Sequence, residues 1–400
     1  MSAGIALGDK ALISELQATA YLSYAAIAPA TTCVARAVRE LMDDYARMGN
    51  LALGKWLPRR EALRAQLARL IGAQPANIAL CSSATRGLTD LALCFPWQAG
   101  DTVLVGDGEF PGNVSPWQNV AELFSLRIEF LPKLRTSDDD PFLSALEDRL
   151  RAGRVRLVAL SAVQFQSGIR APLEAVVRAC RRHGAELAVD AIQACGVVPL
   201  DVTALEIDYL VGGAHKWLMA LEGAGFLYAA PERARRLVPR TAGWLSHEDG
   251  LRFLFEGPGM LRYDRPIKAG IDFMEGTSAN GVGYAALEAA LEPILELGVP
   301  AIFAHVSGYL DELEAGLVAR GLSSLRPADP ARRSGILSFE PPAAHSAAEI
   351  VSALREQGIF ASMPDGLVRL APHFPNSRDE VALVLDGLDV ALAALEPRRT

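Results

Sequence analysis

The stretch from Tyr209 to Tyr228 reads YLVGGAHKWLMALEGAGFLY and places a His-Lys pair, His215 and Lys216, between two apolar runs. Each run has the length and composition of a buried strand. The lysine between them is either a solvated loop charge or a reactive amine at the end of a strand. Taken alone, the first interpretation is favoured, because lysines are mostly exposed. The rest of the sequence is needed to choose between these two interpretations of Lys216.

Short apolar segments alternate with amphipathic helices before this stretch. NIALCSS, DTVLVG, VRLVALSAV and ELAVDAIQ have strand character, whereas ATRGLTDLALCF and PLEAVVRACRRHG have helical character. This alternation predicts βαβ units and an α/β fold with a mainly parallel sheet covered by helices on both faces. Ligands of such sheets bind beyond the carboxyl ends of the strands.

A surface helix is predicted from Pro58 by the run PRREALRAQLARLIG. Leu63, Leu67, Leu70 and Ile71 share one face of it, and its arginines are expected on the solvated side.

Composition changes near Trp244, where an irregular, glycine-containing region begins. After it, helices and strands alternate in a smaller α+β unit. We therefore predict a large domain over residues 1–270, with the N-terminal segment contributing to the small domain, and a small domain over 271–400.

Charge and cysteine content exclude several classes of protein. The 400 residues carry a formal net charge of -8, and no Lys/Arg run is longer than a pair, so neither nucleic acid nor an anionic membrane is an expected partner. The five cysteines contain no C-x-x-C pair, which predicts no disulfide framework, no metal site and a reducing compartment. Asp9 and Lys10 interrupt any signal-peptide core, and later apolar stretches contain charges, so we expect a cytoplasmic protein without a membrane span.

Two polar residues follow the strand ELAVD at its carboxyl end. Asp190 ends the strand, Gln193 lies three residues later, and Lys216 lies 216 − 190 = 26 residues after Asp190, at the exit of the next strand. A lone strand-end aspartate is as well explained by a cap or a salt bridge. Together, however, a buried carboxylate that holds a proton on a heteroaromatic nitrogen and a lysine that forms an imine are what a pyridoxal phosphate enzyme requires.

The chain resembles the class V aminotransferase superfamily of fold type I pyridoxal phosphate (PLP) enzymes, which includes cysteine desulfurases and isopenicillin N epimerase-like proteins. The resemblance extends from YLSYAAIAP to VRLAPHFPNS. It implies a large PLP-binding domain and a smaller C-terminal α+β domain, with pyridoxal 5'-phosphate as cofactor. By the same resemblance Lys216 forms the Schiff base, Asp190 pairs with the pyridine nitrogen, Gln193 lies near the phenolic oxygen, and His215 helps to hold the phosphate.

The phosphate site implied by the resemblance is the segment SSATRG, where a strand ends and a helix begins. Ser83, Ala84 and Thr85 would bind the phosphate through backbone amides and a hydroxyl at the helix N-terminus. Without the resemblance, Ser83 and Thr85 are simply N-cap candidates. In the family a threonine of the partner subunit completes this site, and EGTSAN offers Gly276 and Thr277, which implies a homodimer with shared active sites.

The run GEFPGNVSPW matches the family segment that covers the cofactor ring. Cysteine desulfurases usually have a histidine where this chain has Phe110, and a phenyl ring stacks on the cofactor but transfers no proton. The overlapping VLVGDGEFPG also resembles a dinucleotide-binding motif, with Glu129 lying 129 − 106 = 23 residues after Gly106. Because Pro111 occupies the third glycine position and the strand is not the first, we treat that match as coincidence.

Three further positions complete the comparison with the family. Phe165 replaces an asparagine that touches the phenolic oxygen, leaving Gln164 or Gln166 as substitutes, and Gly213 replaces a phosphate-binding serine. Arg369, in LVRLAPHFPNS, matches the arginine that binds the substrate α-carboxylate; its alternative is a surface ion pair.

The expected activity is that of a PLP-dependent enzyme in which Lys216 removes the Cα proton of an amino acid. An aminotransferase and a β-eliminating carbon-sulfur lyase are the main hypotheses, an epimerase or racemase is the alternative, and a catalytically silent binding protein is the hypothesis from another class. A persulfide-forming cysteine desulfurase is not expected, because REQGIFASMPDGLVR contains no cysteine near Arg369.

Overall fold

The computed structural model describes residues 5–137, 140–278 and 280–395. The α-helices of the described residues are, in chain order, α1 Thr32–Met48, α2 Leu53–Ile71, α3 Ala84–Cys94, α4 Ser115–Phe124, α5 Asp140–Ala152, α6 Leu173–His183, α7 Pro231–Ala234, α8 Arg252–Phe255, α9 Gly281–Leu297, α10 Val299–Ala319, α11 Ala347–Glu356 and α12 Glu380–Ala394.

The strands of the described residues form one large sheet and two small ones. They are β1 Ala20–Tyr21, β2 Ile78–Cys81, β3 Thr102–Gly106, β4 Arg127–Leu131, β5 Val155–Ser161, β6 Glu186–Asp190, β7 Tyr209–Gly213, β8 Gly225–Ala229, β9 Leu337–Phe339, β10 Ile359–Phe360 and β11 Val368–Leu370.

The large sheet has seven strands in the order β2-β8-β7-β6-β5-β3-β4. The pairs β3–β4, β3–β5, β5–β6 and β6–β7 are parallel, whereas β8 is antiparallel to β2 and to β7. The carboxyl ends of β2, β3, β5, β6 and β7 therefore meet at one edge of the sheet. Most strand positions of this sheet are buried, because helices cover both faces. The predicted α/β fold is confirmed.

The two small sheets join distant parts of the chain. Strand β1 pairs in parallel with β10, with Ala20 opposite Ile359, and β11 pairs antiparallel with β9. A further parallel bridge joins Ser23 to Ala371. The N-terminal segment therefore packs on the C-terminal part of the chain, while the position of the domain boundary stays a prediction.

Helix α2 corrects one expectation about its arginines. It begins at Leu53, before Pro58, and Arg64 is buried rather than solvated. The carboxylate of Glu275 accepts hydrogen bonds from Arg64 at 2.6 Å, from Arg60 at 2.8 Å and from the backbone N–H of Leu80 at 2.7 Å. Arg64 is thus part of a buried contact, whereas Arg69 is exposed as expected; the helical periodicity could not reveal the contact because Glu275 lies about 200 residues away.

Hydropathy identifies no single helix in the described residues that could cross a membrane; only the pair α9 and α10, bent by 79° at the break between them, passes by length and composition. In the same part of the chain no three His, Cys, Asp or Glu side chains group as a metal site would require. All five cysteines have free thiols, and all but Cys81 are buried.

Candidate active site

Asp190 and Lys216 lie at the carboxyl edge of the large sheet. Asp190 is the last residue of β6, and Lys216 follows the end of β7 by three residues. Both side chains are buried, and their charges interact. Asp190 Oδ1 accepts a hydrogen bond from the Ile192 N–H at 2.9 Å. Within the described residues no hydrogen bond or ion pair holds the Lys216 amine, so it is free to react.

Burial changes the proton affinity of both groups. It lowers the pKa of Lys216 to about 8, against the opposing charge of Asp190, and Arg369 lowers it further. Burial also raises the pKa of Asp190, although the Ile192 N–H and the charge of Lys216 oppose this. An amine with a lowered pKa is available unprotonated, hence nucleophilic and basic, near neutral pH.

Gln193 and His215 flank this pair. The Gln193 amide donates to the Ala25 carbonyl at 3.0 Å and accepts from the Trp217 indole at 2.8 Å, so it also ties the N-terminal segment to the sheet. Burial lowers the pKa of His215, and the neighbouring Lys216 charge lowers it further, which favours a neutral imidazole. Their predicted contacts with the cofactor stay predictions.

The N-terminus of α3 lies at the same edge as Lys216. Ser83 is the N-cap, and its hydroxyl accepts from the Arg86 N–H at 3.0 Å. The N–H groups of Ala84 and Thr85 belong to the first helical turn and have no acceptor within the helix. A Cβ added to Gly112 would lie 2.6 Å from Thr85 Oγ1, so glycine is needed for the close approach of the two segments.

The Phe110 ring lies beside Lys216, and a second phenyl ring, Phe165, packs on it. Lys216 Nζ is 5.5 Å from the centroid of the Phe110 ring, and that ring contacts Phe165 edge to face at 5.3 Å between centroids. Gln164 accepts a hydrogen bond from Ser167, and Gln166 lies 3.4 Å from Asp365. Neither glutamine is thereby identified as the partner of the phenolic oxygen, and the surroundings of the amine on this side are aromatic.

Arg369 lies in β11 and connects the small sheet to the large one. Its Nη1 donates to the Phe165 carbonyl at 2.6 Å and its Nε donates to the Ser362 hydroxyl at 2.9 Å. Burial lowers the pKa of its guanidinium to about 10. The side chain is therefore buried without a carboxylate partner among the described residues, which disfavours the surface-ion-pair alternative and leaves an anion as a suitable ligand.

Gly276 and Thr277 follow Glu275; Gly276 is buried and Thr277 is exposed. Gly276 packs on Gly243, where an added Cβ would come within 2.6 Å of the Gly243 nitrogen. A cavity of about 790 Å³ opens nearby and is lined by apolar side chains including Trp244, Phe253 and Phe255. Lys216 and Asp190 are not among its lining residues, so this cavity is separate from the reactive amine.

Glu109, for which no role was expected from the sequence, is partly buried near these groups and contacts Ser161, the residue opposite Asp190 in the sheet. Burial raises the pKa of Glu109 to about 7; hydrogen bonds from Ser161 and Asn113 oppose this shift, and the charge of Asp190 adds to it. The signal available in the sequence was an acidic residue shortly after strand β3 and directly before Phe110.

The structure also explains the glycine at position 213, where the family has a serine. A Cβ at that position would lie 2.7 Å from the Ile192 side chain.

Comparisons with known proteins identify the family of this chain. The family model for aminotransferase class-V matches residues 20–367. An uncharacterized aminotransferase, YcbU, of Bacillus subtilis is 26% identical over 89% of this chain and 90% of its own length. Isopenicillin N epimerase of Streptomyces clavuligerus is 27% identical over 82% of this chain and 83% of its own.

Solved structures share the fold over nearly the whole chain. The cystine C-S lyase C-DES, in complex with its reaction product cysteine persulfide, has a TM-score of 0.84 at 24% identity, covering 94% of this chain and 98% of that one. The cysteine desulfurase of Thermococcus onnurineus has a TM-score of 0.84 at 22% identity, covering 98% of this chain and 100% of that one. The matches to the family and to structures of this fold lead to one conclusion: the chain belongs to the aminotransferase class-V family of fold type I enzymes, and its cofactor is pyridoxal phosphate.

Proposed function

We propose that this enzyme is a β-eliminating lyase that acts on an amino acid with a sulfur leaving group on Cβ, such as cystine or a cysteine S-conjugate. The observation that carries the proposal is the surroundings of Lys216. Its charge interacts with Asp190 and Arg369, and its Nζ lies 5.5 Å from the centroid of the Phe110 ring, which packs on Phe165; neither phenyl ring carries an exchangeable proton.

The residues at the sheet edge fit pyridoxal phosphate. The free Lys216 amine is placed to bind an aldehyde, Asp190 to hold a proton on a ring nitrogen, and Phe110 to cover a ring. Free N–H groups at the start of α3, with Thr85 and Ser83, are suited to a phosphate, with His215 nearby. When bound, the cofactor supplies a carbonyl that captures amines and a ring that accepts electrons from the substrate Cα.

Arg369 is assigned to the substrate carboxylate. Its Nε and Nη1 already donate to Ser362 and Phe165, which fixes the guanidinium plane, and its remaining N–H groups are available to an anion. A carboxylate held there would orient the Cα–H bond of the substrate relative to Lys216 Nζ. The pKa of that amine, lowered to about 8, increases the unprotonated fraction that can remove the Cα proton near neutral pH.

The aromatic surroundings favour substrates whose leaving group departs as an anion. In the proposed step Lys216 Nζ takes the proton from Cα, and the electron pair of that C–H bond forms the Cα–Cβ double bond. The Cβ–S bond breaks and sulfur leaves with its electron pair as a thiolate or persulfide. The remaining three-carbon fragment is released and is hydrolysed by water to pyruvate and ammonia. Sulfur anions need no general acid to depart, which suits a site with phenyl rings beside the base.

The segment before Arg369 argues against persulfide formation on the enzyme. Ser362 and Met363 occupy the loop that bridges to β11, and all five cysteines lie at or before Cys195. Burial raises the pKa of Cys81, Cys180 and Cys195 to about 12, so these thiols are poor nucleophiles. Cysteine desulfurases of solved structure share the fold of this chain. The proposed activity differs from theirs because this chain has no cysteine in the segment before Arg369.

Transamination is the second candidate function, supported by the similarity to the YcbU aminotransferase. It begins with the same proton transfer to Lys216 but expels no sulfur, so the amino group has to pass to a second substrate. It therefore requires a keto acid as amino-group acceptor. Epimerisation, which returns the proton to Cα, remains a further alternative.

We also propose a homodimer in the cytoplasm in which Gly276 and Thr277 complete the phosphate site of the partner subunit. The exposed Thr277 and the apolar cavity beside Phe253 and Phe255 support this proposal, because exposed apolar patches of this kind mark interaction sites. The domain boundary near residue 270 is part of the same proposal, since it places the segment carrying Thr277 just beyond the large domain.

A product assay with and without a keto acid tests the proposed reaction. The purified enzyme loaded with pyridoxal phosphate is incubated with L-cystine, and pyruvate is measured with lactate dehydrogenase. We expect pyruvate and ammonia in equal amounts without any keto acid, and none from the Lys216→Ala variant. Turnover only in the presence of a keto acid would instead identify a transaminase. Stoichiometric alanine together with a protein-bound persulfide would identify a desulfurase.

A further inference from the structure

Glu109 is a partly buried, hydrogen-bonded carboxylate for which the proposed reaction has no use. It follows β3 and directly precedes Phe110. Its Oε1 accepts from the Ser161 backbone N–H at 2.7 Å. Its Oε2 accepts from the Ser161 hydroxyl and, at 2.9 Å, from Asn113 Nδ2. Three donors converge on this one partly buried side chain, and such hydrogen bonds offset the cost of removing a carboxylate from water.

Two groups that can only donate, the Trp117 indole N–H and the Ser161 backbone N–H, determine which atoms of this network donate and which accept. The Trp117 indole N–H can only donate, and it donates to Asn113 Oδ1 at 3.1 Å. Asn113 must therefore turn its NH₂ group toward Glu109. The Ser161 backbone N–H can also only donate. Both oxygens of Glu109 must consequently accept, which a carboxylate does and a carboxamide cannot.

The network joins the cofactor-covering segment to the strand end that carries the site. Ser161 is the last residue of β5 and lies opposite Asp190 in the register of β5 and β6. Glu109 also accepts a hydrogen bond from Asn113, four residues later. The segment from Phe110 to Asn113 is therefore held at its start by the Glu109–Ser161 contact and at its end by the Glu109–Asn113 contact. Within that segment Phe110 lies over Lys216, and Gly112 lies against the Thr85 hydroxyl.

We propose that Glu109 is a positioning residue that holds the Phe110–Asn113 segment against the carboxyl end of β5, and so aligns the ring cover and the Thr85 hydroxyl with the cofactor. The inference rests on the proposed roles of Phe110 and Thr85 toward pyridoxal phosphate. It does not depend on whether the reaction is an elimination or a transamination.

A swap of the donor and acceptor partners tests this role. In Glu109→Gln one NH₂ group faces either Asn113 Nδ2 or the Ser161 N–H, so two donors oppose each other. We expect the dissociation constant for pyridoxal phosphate to rise about tenfold or more, since an unmade buried hydrogen bond is costly. In cofactor-free protein, the near-ultraviolet circular dichroism of Trp117 should change as well. In the double variant Glu109→Gln, Asn113→Asp, the new carboxylate at position 113 can accept hydrogen bonds from both the Trp117 indole and the new amide at position 109. The dissociation constant should then return to within about threefold of wild type.

The outcomes of the swap separate its explanations. Wild-type cofactor affinity and dichroism in Glu109→Gln would overturn the proposal, as would a double variant no better than that single variant. Asn113→Asp alone, which opposes two carboxylates, should also weaken cofactor binding. If Glu109→Gln does not fold, a folded double variant that binds the cofactor supports the proposal, and a double variant that also fails to fold or bind overturns it. A failure of the proposed Lys216 role would appear separately, in borohydride labelling of the wild-type enzyme.

Discussion

At the scale of single residues, the amine of Lys216 is distinguished by its burial. Its pKa is lowered from 10.5 to about 8, so the fraction of unprotonated amine increases as the pH rises through about 8. We expect the rate at which cofactor-free enzyme combines with pyridoxal phosphate to follow that midpoint, measured by the absorbance of the adduct. Asp190→Asn should move the midpoint lower, because the negative charge of Asp190 favours the ammonium form. A wild-type midpoint near 10.5 would contradict the assignment.

Arg369 is the residue whose removal should affect substrate binding most directly. Arg369→Ala loses charged hydrogen bonds to the substrate carboxylate, for which we expect the KM to rise about a hundredfold, equivalent to about 2.7 kcal/mol. Ser362→Ala, the matched control, removes only the contact with Nε at 2.9 Å and should change the KM by less than about tenfold. Steady-state kinetics measure both variants. An unchanged KM in Arg369→Ala would show that the carboxylate binds elsewhere.

At the scale of elements, Glu275 fixes α2 to β2 and to the segment that carries Thr277. Glu275→Ala would leave the buried charge of Arg64 with only the exposed Glu61 carboxylate as a partner, and losing one member of a buried pair costs about 3 kcal/mol of unfolding free energy. Urea unfolding measures this loss. The exposed pair of Arg47 and Asp43 provides the control, since Asp43→Asn should leave stability within experimental scatter. A stable Glu275→Ala variant would contradict the role of this cluster.

The elements also show how far the sequence could predict the structure. Apolar periodicity predicted the strands of the large sheet and placed Asp190 and Lys216 at strand exits, because both signals are local. It could not predict β1 or β10, which have two residues each and form only by pairing with each other. Nor could it reveal the role of Glu109, because its partner Ser161 lies 52 residues away and approaches it only in the folded chain. Residue types predicted the amine and carboxylate chemistry, whereas the network around them required the tertiary structure.

At the scale of the whole molecule, the shared-site proposal predicts how two damaged subunits combine. We expect light scattering to give about twice the 42.8 kDa of one chain. Lys216→Ala and Thr277→Ala homodimers should each be impaired. A mixed dimer should contain one site with an intact Lys216 and an intact Thr277 from its partner, and so recover about half the wild-type activity. If Thr277 serves its own subunit, the mixed dimer should show no such recovery; that result, or an active monomer, would refute the arrangement.

The central claim is that Lys216 carries the cofactor, and borohydride reduction followed by peptide mass mapping tests it most directly. Reduction should fix one pyridoxyl group per chain on the peptide that contains Lys216, and the Lys216→Ala protein, treated in the same way, should carry none at that site. The account predicts label on that single peptide. Label on a different lysine of the wild-type enzyme, or retention of a stable pyridoxyl label by Lys216→Ala, would contradict it.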